Sequence, residues 1–285
     1  MSIESLALQA IPFQVDLGIR FRATTFRTGL VFAGPSGWGE FAPFLDYDDV
    51  IAGRWLAGAL EAAFGNWPAP VRSHVPVNAI IPAADVEVAS QLTRDAVIDL
   101  GVTTFKIKVG QGDGHSAAED LDRVAAVRAT LDELGVAGAI RIDANAGWTL
   151  EQAVTLAQQF DEAAHGLDYI EQPCLTLEEN ERLRSELGVR IAIDEGLRLA
   201  SELDAERLRA AADLVIVKSI PMGGVHRALE AIKAVELPVV ISGSMDTSVG
   251  LASGLALAGS IENLYGACGL GTGTLLASDL ISQAL

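Results

Sequence analysis

Asp143, Glu171 and Asp194 fall 28 and 23 residues apart, and Lys218 follows after a further 24. Each interval is about one strand, one helix and two turns, so these groups recur at equivalent points of successive βα units. Three carboxylates with no histidine or thiolate spaced to join them suit a hard divalent cation held by oxygen, Mg²⁺ first, with room left for water and a substrate. A second lysine, Lys108, precedes the set. A lysine desolvated near another cation has its pKa brought down toward about 7 to 8, where it serves as a base. The cation stabilises the negative charge that builds on a carboxylate when its α-proton is removed. Proton abstraction beside a carboxylate is therefore the chemistry this set could perform.

Side chains alternate along a strand, which fixes where each group points. In TFKIKVG (104–110) Phe105, Ile107 and Val109 share one face, and Thr104, Lys106 and Lys108 the other. Taken alone, that pattern also describes an edge strand with lysines in water. The same parity recurs downstream. Arg141 and Asp143 lie opposite Ile140 and Ile142, Tyr169 and Glu171 opposite Ile170, Asp194 opposite Ile193, and Lys218 opposite Val217. If the apolar faces pack on helices, the polar faces point into a barrel, each charge at the last inward position of its strand, the rim where such folds build active sites. Unpaired charges there would be prohibitively costly, so they neutralise one another or bind something. The alternative is a structural network of Asp143, Glu171, Asp194 and the lysines. Lys106, one layer deeper, reads as electrostatic support for Lys108 or a carboxylate. Arg141 reads as a supporting partner beneath Asp143, and Glu195 as facing outward or into a loop.

The elements that would position these groups start near residue 76, where short β-branched runs alternate with amphipathic helical segments: VPVNAI, TFKIKV, AIRIDA, DYIEQP, VRIAIDE, DLVIVKS, LPVVISG and NLYGACG. TLEQ (149–152) and TLEE (176–179) are capping-box patterns at the starts of two of the helices. Such alternation favours an α/β fold with a parallel sheet closed into a (β/α)8-type barrel, with an open doubly wound sheet as the alternative. Residues 1–75 read as a small α+β unit: β-like runs ESLALQAI, IRFRATTF and TGLVFAG, a GPSGWGE turn, and a helix from about Asp48 to Phe64. The Pro-rich stretch NWPAPVRSHVP marks the boundary, leaving 76–285 as the barrel.

A chain of 285 residues, half hydrophobic, can bury a large core. No apolar run is long enough to span a membrane and the N-terminus lacks a secretory pattern, so a cytoplasmic location is the default. The net charge of −18, without clustered Lys or Arg, argues against nucleic acid or an anionic membrane as partner. A small-molecule carboxylate is the expected partner; the oligomeric state is not legible. Cys174 and Cys268 form no CxxC pair, and His74, His115, His165 and His226 show no metal-ligand spacing.

Further positions carry two readings each. Asn145 either orients a ligand or caps the turn after Asp143. Ser242, Gly243 and Ser244 either hold a substrate carboxylate through hydroxyl and N–H groups or form an ordinary strand-end turn. GLGTG (269–273) lacks the context of a nucleotide loop and reads as a turn closing the barrel.

Taken together, KIK, RIDANAGW, IEQP, AIDEG and VIVKS resemble the enolase superfamily, in the muconate-lactonizing-enzyme-like branch with lysines on the second and sixth barrel strands. GWGEFAPF, IEQPC, KSIPMGGV, SGSMDTSVGL and ACGLGTG look most like its o-succinylbenzoate synthase family. The resemblance implies a modified (β/α)7β barrel with a small N-terminal capping domain, and Mg²⁺ on Asp143, Glu171 and Asp194. It also implies a syn elimination of water in which Lys108 takes the α-proton and returns it to the departing hydroxyl while Lys218 stabilises the enediolate. A loop near Phe13 to Arg20 would help to enclose substrate. Family members usually continue beyond the eighth strand with a segment that returns to the cap; here the chain reaches ISQAL soon after it, so that segment is expected to be missing.

Three other readings compete. An N-acylamino acid racemase or dipeptide epimerase would use Lys108 and Lys218 as opposed bases, although YGACGLGTG lacks the acidic pair that dipeptide epimerases place there. A non-catalytic metal-binding barrel would have lost a lysine or a ligand, and none is missing. A phosphate-binding barrel isomerase would need basic residues near strands seven and eight, which are not evident.

Overall fold

The computed structural model describes residues 9–21, 24–110 and 116–285. It divides into two compact units, one of Met1–Pro76, Val217–Ala234 and Ile241–Leu285, the other of Val77–Ile216 and Val235–Val240. The units are not sequential, unlike the expected 1–75 and 76–285: two later segments belong with the N-terminal part.

In the first unit β1 (Ile11–Phe21), β2 (Thr24–Gly34) and β3 (Gly37–Phe41) form an antiparallel sheet in that order. Of the expected run ESLALQAI, residues 4–8 lie outside the described residues, as do residues 22 and 23 of IRFRATTF. Helix α1 (Asp49–Phe64) starts where Asp48 accepts a hydrogen bond from the Ile51 N–H at 2.8 Å. It lies so close to the sheet that a Cβ on Gly34 or Gly39 would collide with the Ala63 or Ala59 carbonyl, so these two glycines of the GPSGWGE turn are there for backbone approach.

The second unit carries most of a parallel sheet built by βα repetition. Its strands are β4 (Ala79–Ile81), β5 (Thr104–Lys108), β6 (Ala139–Asp143), β7 (Leu167–Glu171), β8 (Ile191–Ile193), β9 (Leu214–Val217) and β10 (Val239–Ile241). They neighbour one another in sequence order. The connecting helices are α2 (Val86–Leu100), α3 (Ala117–Glu133), α4 (Leu150–Ala164), α5 (Leu177–Glu186), the short α6 (Glu195–Arg198) and α7 (Ala205–Ala211), and α8 (Val225–Val235). Thr149 with Gln152 and Thr176 with Glu179 form the two expected capping boxes, and Ser116 with Glu119 forms a third. Ile107, Ile142, Ile170 and Ile193 are buried, and so are the residues of opposite parity, as in a sheet covered on both faces.

The eighth expected strand, NLYGACG, is not a regular strand. In the first unit, where it belongs, Cys268 N–H donates to the Pro76 carbonyl and Gly269 N–H to that of Ile241, both at 2.7 Å, and Ser242 forms an isolated parallel bridge with Gly269. Cys268 and Gly269 make the hydrogen bonds of a strand here without a run of extended residues. Helix α9 (Ser248–Gly259) lies between β10 and this segment in the chain.

Short as it is, the stretch after the eighth barrel segment does reach back to the N-terminal sheet. Leu276 forms an antiparallel bridge with Leu17 of β1, Ala277 N–H donates to the Asp16 carbonyl at 2.8 Å, and Leu285 N–H donates to the Ser248 hydroxyl at 2.9 Å. Among the described residues no helix is long and apolar enough to cross a membrane.

Candidate active site

Register does for this site what spacing alone could only suggest. Lys106 faces Arg141, which faces Tyr169; one layer nearer the strand ends, Lys108 faces Asp143, which faces Glu171. The charged row therefore crosses three adjacent strands at their carboxyl ends. Glu171 faces Ala192, so Asp194, two residues on and just past β8, stands one inward position beyond the row.

Each carboxylate of the row is engaged by an ammonium group. Lys106 Nζ donates to Glu171 Oε2 and Oε1 at 2.9 and 3.1 Å and stands 3.4 Å from Asp143 Oδ2. Lys108 Nζ lies 2.5 Å from Asp143 Oδ2 and 2.6 Å from Asn145 Oδ1. Glu171 and Asp194 are fully buried, and both lysines nearly so. Burial disfavours the Lys106 ammonium, but Glu171 and Asp143 outweigh it and hold its pKa above the ordinary lysine value. Lys106 is thus held in its ammonium form, paired with Glu171.

Asn145 turns back onto the row. Its N–H donates to Asp143 Oδ1 at 3.0 Å with φ at 45°, a left-handed turn that asparagine tolerates, while its side chain reaches Lys108 and donates to Glu195 Oε1 at 3.2 Å. Glu195 does not face outward. It joins Asn145 to Arg198, whose Nη2 lies 2.7 Å from Glu195 Oε1 and whose Nε lies 3.0 Å from Asp194 Oδ1. Gln172, with φ at 39°, accepts from the Asp194 and Gly196 N–H groups at 3.1 Å each and pins the turn after β8.

Arg198 and Gln172 escape the parity argument because they stand on a short helix and a turn. The one available signal is the four-residue step from Asp194 to Arg198, the reach of an ion pair on a helix. Arg141 pairs one layer deeper than expected, with Asp168 at 2.8 Å and Asn78 at 3.2 Å, its guanidinium 4.7 Å above the Tyr169 ring. Burial pushes the Cys174 thiol up to about 12, so it stays neutral.

The donor set fits a hard divalent cation: three buried carboxylates, two of them directly opposed in register, with no softer ligand among them. As the side chains stand, each acid is occupied by a cationic side chain, and among the described residues no three acid, histidine or cysteine side chains converge as one ligand group. Three negative charges face three positive ones, from Lys106, Lys108 and Arg198. A bound cation would therefore take the place of ion pairs already made.

Lys218 and the Ser242–Ser244 turn belong to the first unit. Lys218 is buried one residue past β9. The Ser242 hydroxyl and the Gly243 N–H both donate to the Gly269 carbonyl, at 3.2 and 3.0 Å, and the Ser244 N–H donates to Asp246 Oδ2 at 2.7 Å. Two of these donors tie the turn to Gly269 and one closes the turn itself.

Known proteins share both the sequence and the architecture. The family described as Enolase C-terminal domain-like matches residues 87–284, and Enolase N-terminal domain-like matches 12–63. An o-succinylbenzoate synthase of Thermobifida fusca (strain YX) is 44% identical over 96% of this chain and 83% of its own. One of Mycolicibacterium smegmatis (strain ATCC 700084 / mc(2)155) is 40% identical over 98% of this chain and 82% of its own. Among solved structures, a substrate-liganded L-Ala-D/L-Glu epimerase from Bacillus subtilis superposes with a TM-score of 0.78 at 20% identity, covering 95% of this chain and 90% of that one. A muconate lactonizing enzyme from Pseudomonas fluorescens complexed with muconolactone gives 0.78 at 18% identity, over 97% and 90%. These likenesses establish the fold class, an α/β barrel with a small N-terminal α+β domain, and set aside the open doubly wound sheet. Matched by both domain families and by relatives at 40 and 44% identity over nearly its whole length, this chain belongs to the enolase superfamily.

Proposed function

We propose that this chain is an o-succinylbenzoate synthase, a hydro-lyase that converts 2-succinyl-6-hydroxy-2,4-cyclohexadiene-1-carboxylate to 2-succinylbenzoate and water in menaquinone biosynthesis. The observation that carries the reading is the buried row Lys108, Asp143 and Glu171 across the carboxyl ends of three adjacent strands. Relatives of that name, aligned over nearly the entire chain, support the choice of reaction.

Mg²⁺ held by Asp143, Glu171 and Asp194 would supply Lewis-acid stabilisation for the negative charge gathered on the substrate carboxylate. The remaining steps belong to the chain's own residues. Lys108 removes the α-proton; in the contacts described above its Nζ donates to Asp143 and Asn145, so it acts as a base when Asp143 is engaged elsewhere and no longer holds that proton on it. The C–O bond on the neighbouring carbon then breaks, and Lys108 returns the proton to the departing hydroxyl. One C–H and one C–O bond are lost, water leaves, and the lysine ends as it began. Asn145 keeps the amine aimed, and Lys106 keeps Glu171 ionised within the barrel. Lys218 contributes its charge to the enediolate. The Ser242–Ser244 turn shapes the place of a substrate carboxylate.

Purified protein supplied with Mg²⁺ and offered the cyclohexadiene beside N-succinyl amino acids of both hands tests this reading. Fast dehydration with little racemisation is expected. Racemisation without dehydration would reassign the chain to the N-acylamino acid racemases.

A further inference from the structure

Strand β3 brings one more acid into the interior of the first unit. Glu40 is 2% exposed, and its carboxyl accepts from the Thr247 hydroxyl at 2.5 Å, the Thr247 N–H at 3.3 Å and the Gly250 N–H at 2.9 Å. A residue of the antiparallel sheet thus caps the first turn of α9. Asp246, 5% exposed, stands just before that turn. A Cβ built on Gly250 would lie 2.8 Å from Asp246 Cβ and 3.1 Å from Glu40 Cδ, so the two acids flank a single glycine. Asp246 Oδ2 accepts from Ser244, whereas its buried Oδ1 has no hydrogen-bond partner among the described residues.

Two buried carboxyl groups this close do not both ionise without large cost. The charged groups around them decide which keeps the proton. Burial raises the Asp246 pKa as well, but the Ser244 N–H, Arg27 of β2 and Lys218 all favour its ionised form, while Asp279 adds negative charge at the head of α9 through its bonds to Ser248. Burial and the neighbouring Asp246 push Glu40 up to about 8.

We propose that Glu40 is a positioning residue: as a neutral acid bonded to the head of α9, it leaves Asp246 as the single carboxylate facing Lys218 and so fixes the Ser242–Asp246 turn. The role in turnover rests on Lys218 taking part in the dehydration described above; the protonation of Glu40 does not. Its pKa is raised above the ordinary 4.5, so the folded chain holds a proton that the unfolded chain gives up from about pH 4.5. The pair's contribution to stability falls as pH rises from there to about 8.

The test compares wild type with Glu40→Gln, Glu40→Ala and Asp246→Asn, measuring Tm from pH 5 to 9 and kcat and KM for dehydration from pH 6.5 to 9. Glutamine mimics the neutral acid. Glu40→Gln is expected to stay within about twofold of wild-type kcat at pH 7 and to lack the wild type's decline in Tm between pH 5 and 8. Glu40→Ala, which loses the cap, is expected to lose about tenfold or more in kcat with a smaller change in KM. Should it fail to fold, Asp246→Asn serves instead: it relieves the repulsion but not the burial, and is expected to make the decline in Tm shallower than in wild type; an unchanged decline would overturn the pairing of the two acids. A Glu40→Gln protein as impaired as Glu40→Ala at pH 7, or a wild-type and Glu40→Gln pair with parallel Tm profiles, would overturn the proposal. The Tm profiles need no substrate, so a wild type that dehydrates nothing sinks the functional assignment alone.

Discussion

Lys108 and Asp143 are partners twice over: they face each other in register across β5 and β6, and Lys108 Nζ stands 2.5 Å from Asp143 Oδ2. The backbone pairing delivers the ion pair without any loop having to find it. A shift of one residue in either strand would turn one partner toward the helices.

Replacing Lys108 by alanine removes the proposed base and leaves the strand pairing untouched. We expect kcat to fall by about a thousandfold, within the usual range for loss of general acid–base catalysis. The far-UV circular dichroism spectrum and the Mg²⁺ affinity should be retained. Near-normal turnover would remove Lys108 from this role.

Removal of metal should abolish turnover, and its return should restore it. If Mg²⁺ binds the folded chain alone, a concentration one hundred times its Kd stabilises the fold by about 2.7 kcal/mol. A Tm that rises with Mg²⁺ in wild type and stays fixed in Asp143→Asn is the expected pair of results. Equal rises in both would place the ion elsewhere.

Lys106 is the main counter-charge of Glu171, which is fully buried. Lys106→Met keeps the aliphatic bulk and strands that carboxylate, at an expected cost of about 3 to 5 kcal/mol in urea unfolding. Adding Glu171→Gln should recover a substantial part of the loss. Additive losses in the double variant would mean that the two side chains are energetically independent.

Thr176 caps α5 reciprocally with Glu179, whose pKa is held below the ordinary carboxylate value by hydrogen bonds from the Thr176 hydroxyl and N–H. Thr176→Ala should cost about 1 kcal/mol at neutral pH. A depressed carboxylate pKa contributes stability above the unfolded value of about 4.5 and loses it as pH falls through the folded value. The penalty of the substitution should therefore shrink in acid. Urea unfolding of both proteins at pH 7 and at pH 3 measures it.

Alternation was the legible part of this chain. Because strand parity is strict, the inward placement of Lys106, Lys108, Asp143 and Glu171 could be read from residue order, and register then put three of them in one row. Glu195 went astray because parity stops at the end of β8, where the chain turns into α6 and brings this residue back to Asn145 and Arg198. The eighth barrel segment reads as a strand in sequence, but Cys268 and Gly269 make their strand-like hydrogen bonds outside any regular strand, just after a left-handed turn at Gly266. Glu40 gave no signal at all: its partners Thr247 and Gly250 lie more than two hundred residues away, and nothing in GWGEF points to them.

The first unit is stitched from three separate stretches, and its β1 is bridged by Leu276, nine residues before the last one. On a ribosome, residues 77–216 have emerged and can begin to organise while that bridge is still unmade. The tie on the outer strand of the N-terminal sheet exists only once Leu276 has been made, so a chain stalled before that residue lacks it on β1.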